Sequence, residues 1–130
     1  MAHLLVTDDD PQLGTLLCRL LTTAGHQVGL AVNGKAALTY LDANPVDLML
    51  LDVLMPEQDG FETVMALAHS AGRPRIIMMS GGSDRLGRNY LLSVVKLMSV
   101  DALLDKPFTK ERLLEVVDSV LAKGPVAPPP

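Results

Sequence analysis

The chain has no tryptophan, two tyrosines and two phenylalanines, so aromatic residues make up only 3% of it. Leucine, valine, alanine and the 7 methionines must therefore fill whatever core it builds. A single cysteine, Cys18, excludes an internal disulfide framework and suits a reducing compartment. Basic residues are scarce. The 11 Lys and Arg against 15 Asp and Glu leave a net charge of −4, without the basic excess that a nucleic-acid surface needs. No apolar run reaches the ~18 residues of a membrane span, and Met1-Ala2-His3 opens no basic-then-apolar secretory leader. These absences predict a cytoplasmic domain that engages neither membrane nor nucleic acid. What is present is an ordinary globular composition, 48% hydrophobic and 20% charged. At 130 residues there is room for one domain, which can bury roughly two-thirds of its unfolded surface.

Short apolar runs alternate with amphipathic stretches. His3–Thr7 is a run bounded by three aspartates and Pro11, as expected of a strand buried on both faces. Leu13, Leu16, Leu17, Leu20, Leu21 and Ala24 then recur at helical spacing, with Asp10 as cap, Pro11 in the first turn and Gly25 as terminator. Gln27–Val32 reads as a second strand and Asn33–Ala43 as a second helix. Val46–Leu51 reads as a third strand, and Phe61, Val64, Met65 and Ala68 mark a third helix. Arg75–Met79 is a fourth strand, Leu91, Val94, Val95 and Met98 a further helix, and Ala102–Leu104 a brief fifth strand. Leu113, Val116, Val117, Val120 and Leu121 form the last helix, with Thr109 as its cap. Five β–α units in sequence predict a parallel sheet covered by helices on both faces, since right-handed crossovers place them there. Residues 1–123 form this domain, and residues 124–130, Gly-Pro-Val-Ala-Pro-Pro-Pro, form an extended proline-rich tail or linker stub.

In such sheets ligands sit at the carboxyl ends of the strands. Those ends carry Asp8, Asp9 and Asp10, then Asp52, then Ser80-Gly81-Gly82, then Lys106-Pro107. Singly, each has a plainer role. Acids before a helix cap it, an aspartate suits a turn, and paired glycines make a flexible bend. Jointly they assemble carboxylates, a hydroxyl and an ammonium on one edge. Two carboxylates ~4 Å apart repel by about 1 kcal/mol in water and ~4 kcal/mol at a surface-like dielectric. Lys106 offsets part of that, and a hard divalent cation, Mg²⁺ or Mn²⁺, offsets more. Such a pocket suits a phosphoryl group, with an aspartate as nucleophile. The histidines, His3, His26 and His69, fall on different elements without metal-ligand spacing, and Cys18 reads as a packing residue.

The sequence resembles the receiver domain of two-component response regulators. The resemblance is carried by Leu4-Leu5-Val6-Thr7-Asp8-Asp9-Asp10-Pro11, by Asp47 through Gly60 around Leu51-Asp52-Val53-Leu54-Met55-Pro56, by Ser80-Gly81 and by Lys106-Pro107-Phe108. It implies a (βα)5 flavodoxin-like doubly wound sandwich whose five-stranded parallel sheet has the order 2-1-3-4-5. It implies Asp52 as phosphoacceptor for a phosphoryl group from a histidine kinase's phosphohistidine. Asp8, Asp9, Asp52 and the main-chain carbonyl of Leu54 would hold Mg²⁺. Ser80 would turn toward the phosphoryl group after transfer, and Lys106 would pair with the acceptor carboxylate and then with the phosphoryl oxygen. A cis Lys106–Pro107 bond is implied as well. The chain would be no conventional enzyme, catalysing only its own aspartyl phosphorylation and dephosphorylation. Its partners would be a sensor histidine kinase or histidine phosphotransfer protein and a downstream protein target, with a phosphorylation-dependent dimer compatible with the family.

Four departures from the family pattern stand out. Leu103 replaces the usual aromatic whose rotation reports phosphorylation, and Ser99-Val100 replaces the usual Gly-Ala. Ser80 and Lys106 lie 26 positions apart, about one helical turn or ~3.6 residues more than usual, with the extra residues near Arg85–Asn89. Gln58 replaces a common apolar residue. Leu103 and the longer stretch motivate the alternative of a phosphorylation-independent protein-interaction module on the same fold. A metal-dependent phosphohydrolase would want a threonine after Asp8-Asp9-Asp10, where Pro11 stands. A flavin carrier would not place three acids where its phosphate binds.

Overall fold

The computed structural model describes residues 2–53, 60–67, 73–81 and 100–126. The elements run β1 (His3–Thr7), α1 (Pro11–Thr23), β2 (Gln27–Ala31), α2 (Gly34–Ala43), β3 (Leu48–Asp52), α3 (Gly60–Leu67), β4 (Arg75–Gly81), β5 (Ala102–Lys106) and α4 (Lys110–Leu121). The helix expected over Leu91–Met98 lies outside the described residues. All strand pairs are parallel, as the strand–helix alternation predicts, and their order β2-β1-β3-β4-β5 is the flavodoxin-like one that the resemblance implies.

The helix ends follow local chemistry. Asp10 Oδ1 accepts the main-chain N–H of Gln12 and Leu13 at 3.0 and 3.3 Å and so caps α1. Gly25, at φ +102, takes the left-handed turn that leads out of α1. Asn33 and Thr109 cap α2 and α4 through the N–H groups of Ala36 and Arg112. The strands depart from expectation at their ends. β3 starts at Leu48 rather than Val46, and Asp47 leads into it with its N–H on the His3 carbonyl at 2.8 Å. β2 stops at Ala31, one residue before Val32. β4 and β5 each run two residues further, because Ser80 pairs with Asp105 and Gly81 with Lys106; ladder bonds are made by backbone, so polar side chains do not end them.

Side chains alternate across the sheet, and two apolar layers result. Leu4, Val6, Leu48, Leu50, Ile77, Met79 and Leu104 pack beneath Leu17 and Leu21 of α1 and Leu113, Val117 and Val120 of α4. Leu5, Met49, Leu51, Ile76 and Met78 pack against Ala37 of α2 and Val64 and Leu67 of α3. Strands buried on both faces explain the unbroken apolar runs, and the scarcity of aromatics is met by leucine, valine and methionine. No helix among the described residues is long and apolar enough to cross a membrane.

Candidate functional site

The strand order reverses between β1 and β3, so a crevice opens at their carboxyl ends. Strand parity then decides what faces it. Asp52 closes β3 in step with Leu48 and Leu50, and Lys106 closes β5 in step with Ala102 and Leu104. Asp8 follows β1 in step with Leu4 and Val6. All three therefore share the α1–α4 face, which is why residues nearly a hundred positions apart can touch.

Asp8, Asp9 and Asp52 each offer an oxygen, and these oxygens lie within 4.8 Å of one another. The Asp8 carboxylate is closed off from solvent and held at both oxygens. The Asp10 N–H donates to Oδ1 at 2.9 Å and the Lys106 ammonium to Oδ2 at 2.9 Å. Lys106 Nζ also stands 3.6 Å from Asp52 Oδ2. Burial on its own would lower the Lys106 pKa. The hydrogen bond with Asp8 and the charges of Asp52 and Asp8 outweigh it, so the ammonium is held above the ordinary lysine range. Among the described residues, three carboxylates face one ammonium there, an anionic balance. An all-oxygen anionic cluster of this kind fits a hard divalent cation such as Mg²⁺ rather than zinc. The Leu54 carbonyl lies outside the described residues.

Ser80 is buried near the end of β4, one step beyond Met79, the register partner of Asp52. By parity Ser80 belongs to the α2–α3 face, as does Leu103, which pairs with Met78 and packs on that layer. The structure thus brings Asp8, Asp9, Asp52 and Lys106 into one cluster and leaves Ser80 on the opposite pleat, next in β4 to the register partner of Asp52. The Lys106–Pro107 peptide is cis, as the resemblance implies. Beside Lys106 an apolar cleft of about 310 Å³ is lined by Leu13, Leu16, Leu17, Leu20, Pro107 and Phe108. Leu16, one of the apolar residues at helical spacing in α1, is 51% exposed there.

Two histidines among the described residues serve local structure. His3 Nε2 lies 2.6 Å from the Tyr40 hydroxyl, and His26 Nδ1 accepts the Ala2 N–H at 3.2 Å. Sequence reasoning missed the support given to Asp8 by the Asp10 main chain. The signal was available, since a residue that caps a helix two positions after an acid turns its own N–H back toward that acid.

Fold and site together define a doubly wound α/β domain that gathers a lysine-braced acidic pocket at the switch point of its sheet. The family model of the response regulator receiver domain matches residues 4–118. The chain is 36% identical over 124 residues to the transcriptional regulatory protein CpxR of Escherichia coli, covering 95% of this chain and 51% of that one. It is 30% identical over 141 residues to the transcriptional regulatory protein TcrA of Mycobacterium tuberculosis, covering 98% and 49%. The chain thus spans about half the length of these curated relatives. Among solved structures, the chemotaxis protein CheY4 of Vibrio cholerae superposes with a TM-score of 0.84 at 28% identity, covering 93% of this chain and 99% of that one. The chain belongs to the response regulator receiver domain family, the phosphoryl-accepting modules of two-component signalling.

Proposed function

We propose that Asp52 is the phosphoacceptor of this receiver domain and that it takes its phosphoryl group from the phosphohistidine of a sensor kinase or histidine phosphotransfer protein. The observation that carries the reading is the meeting of Asp8, Asp9, Asp52 and Lys106 within one pocket at the carboxyl edge of the sheet. Asp52 is the carboxylate for the task. It closes a strand, keeps 13% of its side chain exposed to an incoming donor, and has a cation at 3.6 Å to steady it. Asp8, wholly enclosed and bonded at both oxygens, has no room to act as a nucleophile.

In the proposed reaction an Asp52 oxygen attacks phosphorus in line with the P–N bond. That bond breaks, its electron pair returns to the imidazole nitrogen, and an acyl phosphate forms on Asp52. Asp8, Asp9 and Asp52, with the Leu54 carbonyl, would hold Mg²⁺, which supplies neutralisation for the equatorial phosphoryl oxygens. The Lys106 ammonium, now shared between Asp8 and Asp52, then meets a phosphoryl oxygen. The Ser80 hydroxyl supplies a hydrogen bond to the new dianion. Hydrolysis of the acyl phosphate in the same pocket returns the carboxylate, so the domain acts on itself rather than on a turned-over substrate. The added charge of about −1.5 to −2 drives a local change around β5 that a downstream protein reads. Leu103 makes that readout one without an aromatic rotor. The domain is assigned to residues 1–123, its location to the cytoplasm, and its partners to proteins rather than nucleic acid.

The protein donor gains an apolar foothold in the cleft of α1 and Phe108, which adjoins Lys106. The test is incubation with acetyl phosphate and Mg²⁺ followed by intact-mass measurement. One phosphoryl group per chain is expected, and none in Asp52→Asn. Full labelling of that variant overturns the assignment. Absence of labelling in the folded parent protein favours the phosphorylation-independent interaction module instead.

A further inference from the structure

The opposite rim of the sheet, the amino-terminal end of its strands, carries an arrangement that phosphoryl chemistry does not use. Arg75 opens β4. Its Nε donates to the Gly124 carbonyl at 2.9 Å, and its Nη2 lies 3.3 Å from the Pro125 carbonyl and 3.4 Å from that of Lys123. Its Nη1 donates to Asp101 Oδ1 at 3.0 Å. One guanidinium thus engages three consecutive carbonyls of the chain leaving α4 and one carboxylate, a pattern that its forked donors suit and a lysine ammonium does not.

Asp101 is itself anchored at both oxygens. Its Oδ2 accepts the Ile76 N–H at 2.9 Å, and its Oδ1 also lies 3.4 Å from the Lys123 ammonium. The acid just before β5 therefore ties together the start of β4, the start of β5 and the end of α4. Gly124, at φ +75, supplies the left-handed turn that swings the chain off the helix axis toward Arg75. Pro125 and Val126 then form one wall of a groove of about 530 Å³, whose other walls include Pro45, Val46, Asp47 and His26.

We propose that this rim is an intramolecular docking site for the chain's own residues 123–126, with Arg75 as the latch and Asp101 as its anchor. The latch holds the segment that follows α4 against the end of the sheet opposite Asp52 and so fixes its position and heading as far as Val126. The latched strands are the two whose far ends bear Ser80 and Lys106. The proposal stands independently of phosphorylation and goes beyond it.

The Lys123–Gly124 bond is a trypsin site, and limited trypsinolysis of the whole protein under native conditions reads the latch directly. Arg75→Met is expected to speed cleavage after Lys123 by roughly tenfold or more, the scale of losing charge-assisted hydrogen bonds. Cleavage after Arg19 in α1 and Lys35 in α2 is expected to stay unchanged. Arg75→Lys, which keeps the charge but not the fork, is expected to fall between the two proteins. It serves as the deciding variant should the methionine substitution prevent folding. An unchanged rate after Lys123 overturns the proposal. So does an equal rise at all three sites, since Arg75 would then be supporting the whole fold rather than latching one segment.

Discussion

Lys106 is bonded to Asp8 at 2.9 Å and stands 3.6 Å from Asp52, so the ammonium sits closer to the enclosed acid than to the proposed nucleophile. The reason is electrostatic. Asp8 has given up all contact with water, and a carboxylate in that position needs its cation more than one that keeps some hydration.

Lys106→Met leaves Asp8 buried without its cation and three carboxylates facing one another. Without metal the variant is expected to lose about 1–3 kcal/mol of stability, read by thermal or urea unfolding in a chelator. Added Mg²⁺ should raise the melting temperature of the variant more than that of the parent, because binding to the native state alone stabilises it by mass action. The pH dependence has a definite sign. The folded-state pKa of Lys106 is raised, so the lysine's contribution is complete below the unfolded lysine value and is lost as pH climbs through the raised one. The gap between parent and variant should therefore persist at neutral pH and close only in strongly alkaline solution. Equal stabilities at neutral pH would count against the pairing.

Leu16→Asp separates docking from chemistry. Leu16 is exposed on α1 at the edge of the cleft beside Lys106, whereas the acidic cluster is built from Asp8, Asp9, Asp52 and Lys106. Phosphoryl uptake from acetyl phosphate is expected to match the parent. Transfer from a phosphohistidine-bearing protein is expected to slow by roughly tenfold, as for an interface residue contributing more than 1 kcal/mol. A variant impaired with both donors would place Leu16 in the chemistry or the fold instead.

Much of the site could be read before any coordinates, and the reason is specific to this topology. Strands buried on both faces are apolar from end to end, so the first charged residue after each run marks its carboxyl end. Asp8 after Leu4-Leu5-Val6-Thr7 and Asp52 after Leu48-Met49-Leu50-Leu51 are found that way. Lys106 is less direct, since the apolar run ends at Leu104 while the strand itself continues through Asp105, whose backbone pairs with Ser80. What pattern cannot supply is the choice a side chain makes among neighbours. Nothing in the sequence says that Lys106 prefers Asp8 to Asp52. Nothing says either that Arg75 reaches carbonyls of residues 49 and 50 positions away. Arg75 and Asp101 become neighbours only because β4 and β5 pair in parallel, so the two strand starts lie side by side.

Gly29 has a packing role that can be measured. A Cβ built there would lie 2.5 Å from the Tyr40 ring and hydroxyl. Tyr40 cannot swing aside freely, because its hydroxyl is 2.6 Å from His3 Nε2 and the two rings meet edge to face at 5.6 Å. Gly29→Ala is expected to cost about 1–2 kcal/mol in urea unfolding. In a Tyr40→Ala background the same substitution should be nearly neutral, giving a clear coupling in the double-mutant cycle. Additive costs would show that the clash is relieved some other way.

Cys18 offers a test of core integrity on the α1 face. Burial pushes its thiol pKa up, and its Sγ lies 4.0 Å from the Gly29 carbonyl while packing against the apolar layer. The thiolate is the reactive form, so alkylation of the native protein in mildly alkaline solution should run more slowly than that of a free thiol and accelerate on unfolding. The linkage follows in the same direction. The unfolded thiol ionises at the ordinary value of about 8.5, below the raised native one, so stability should decline as pH rises through that range. Cys18→Ala should remove this part of the decline while costing some packing at neutral pH. If alkylation of the folded protein is as fast as that of the unfolded chain, α1 does not shield its cysteine, and the close seating of α1 against β2 is wrong.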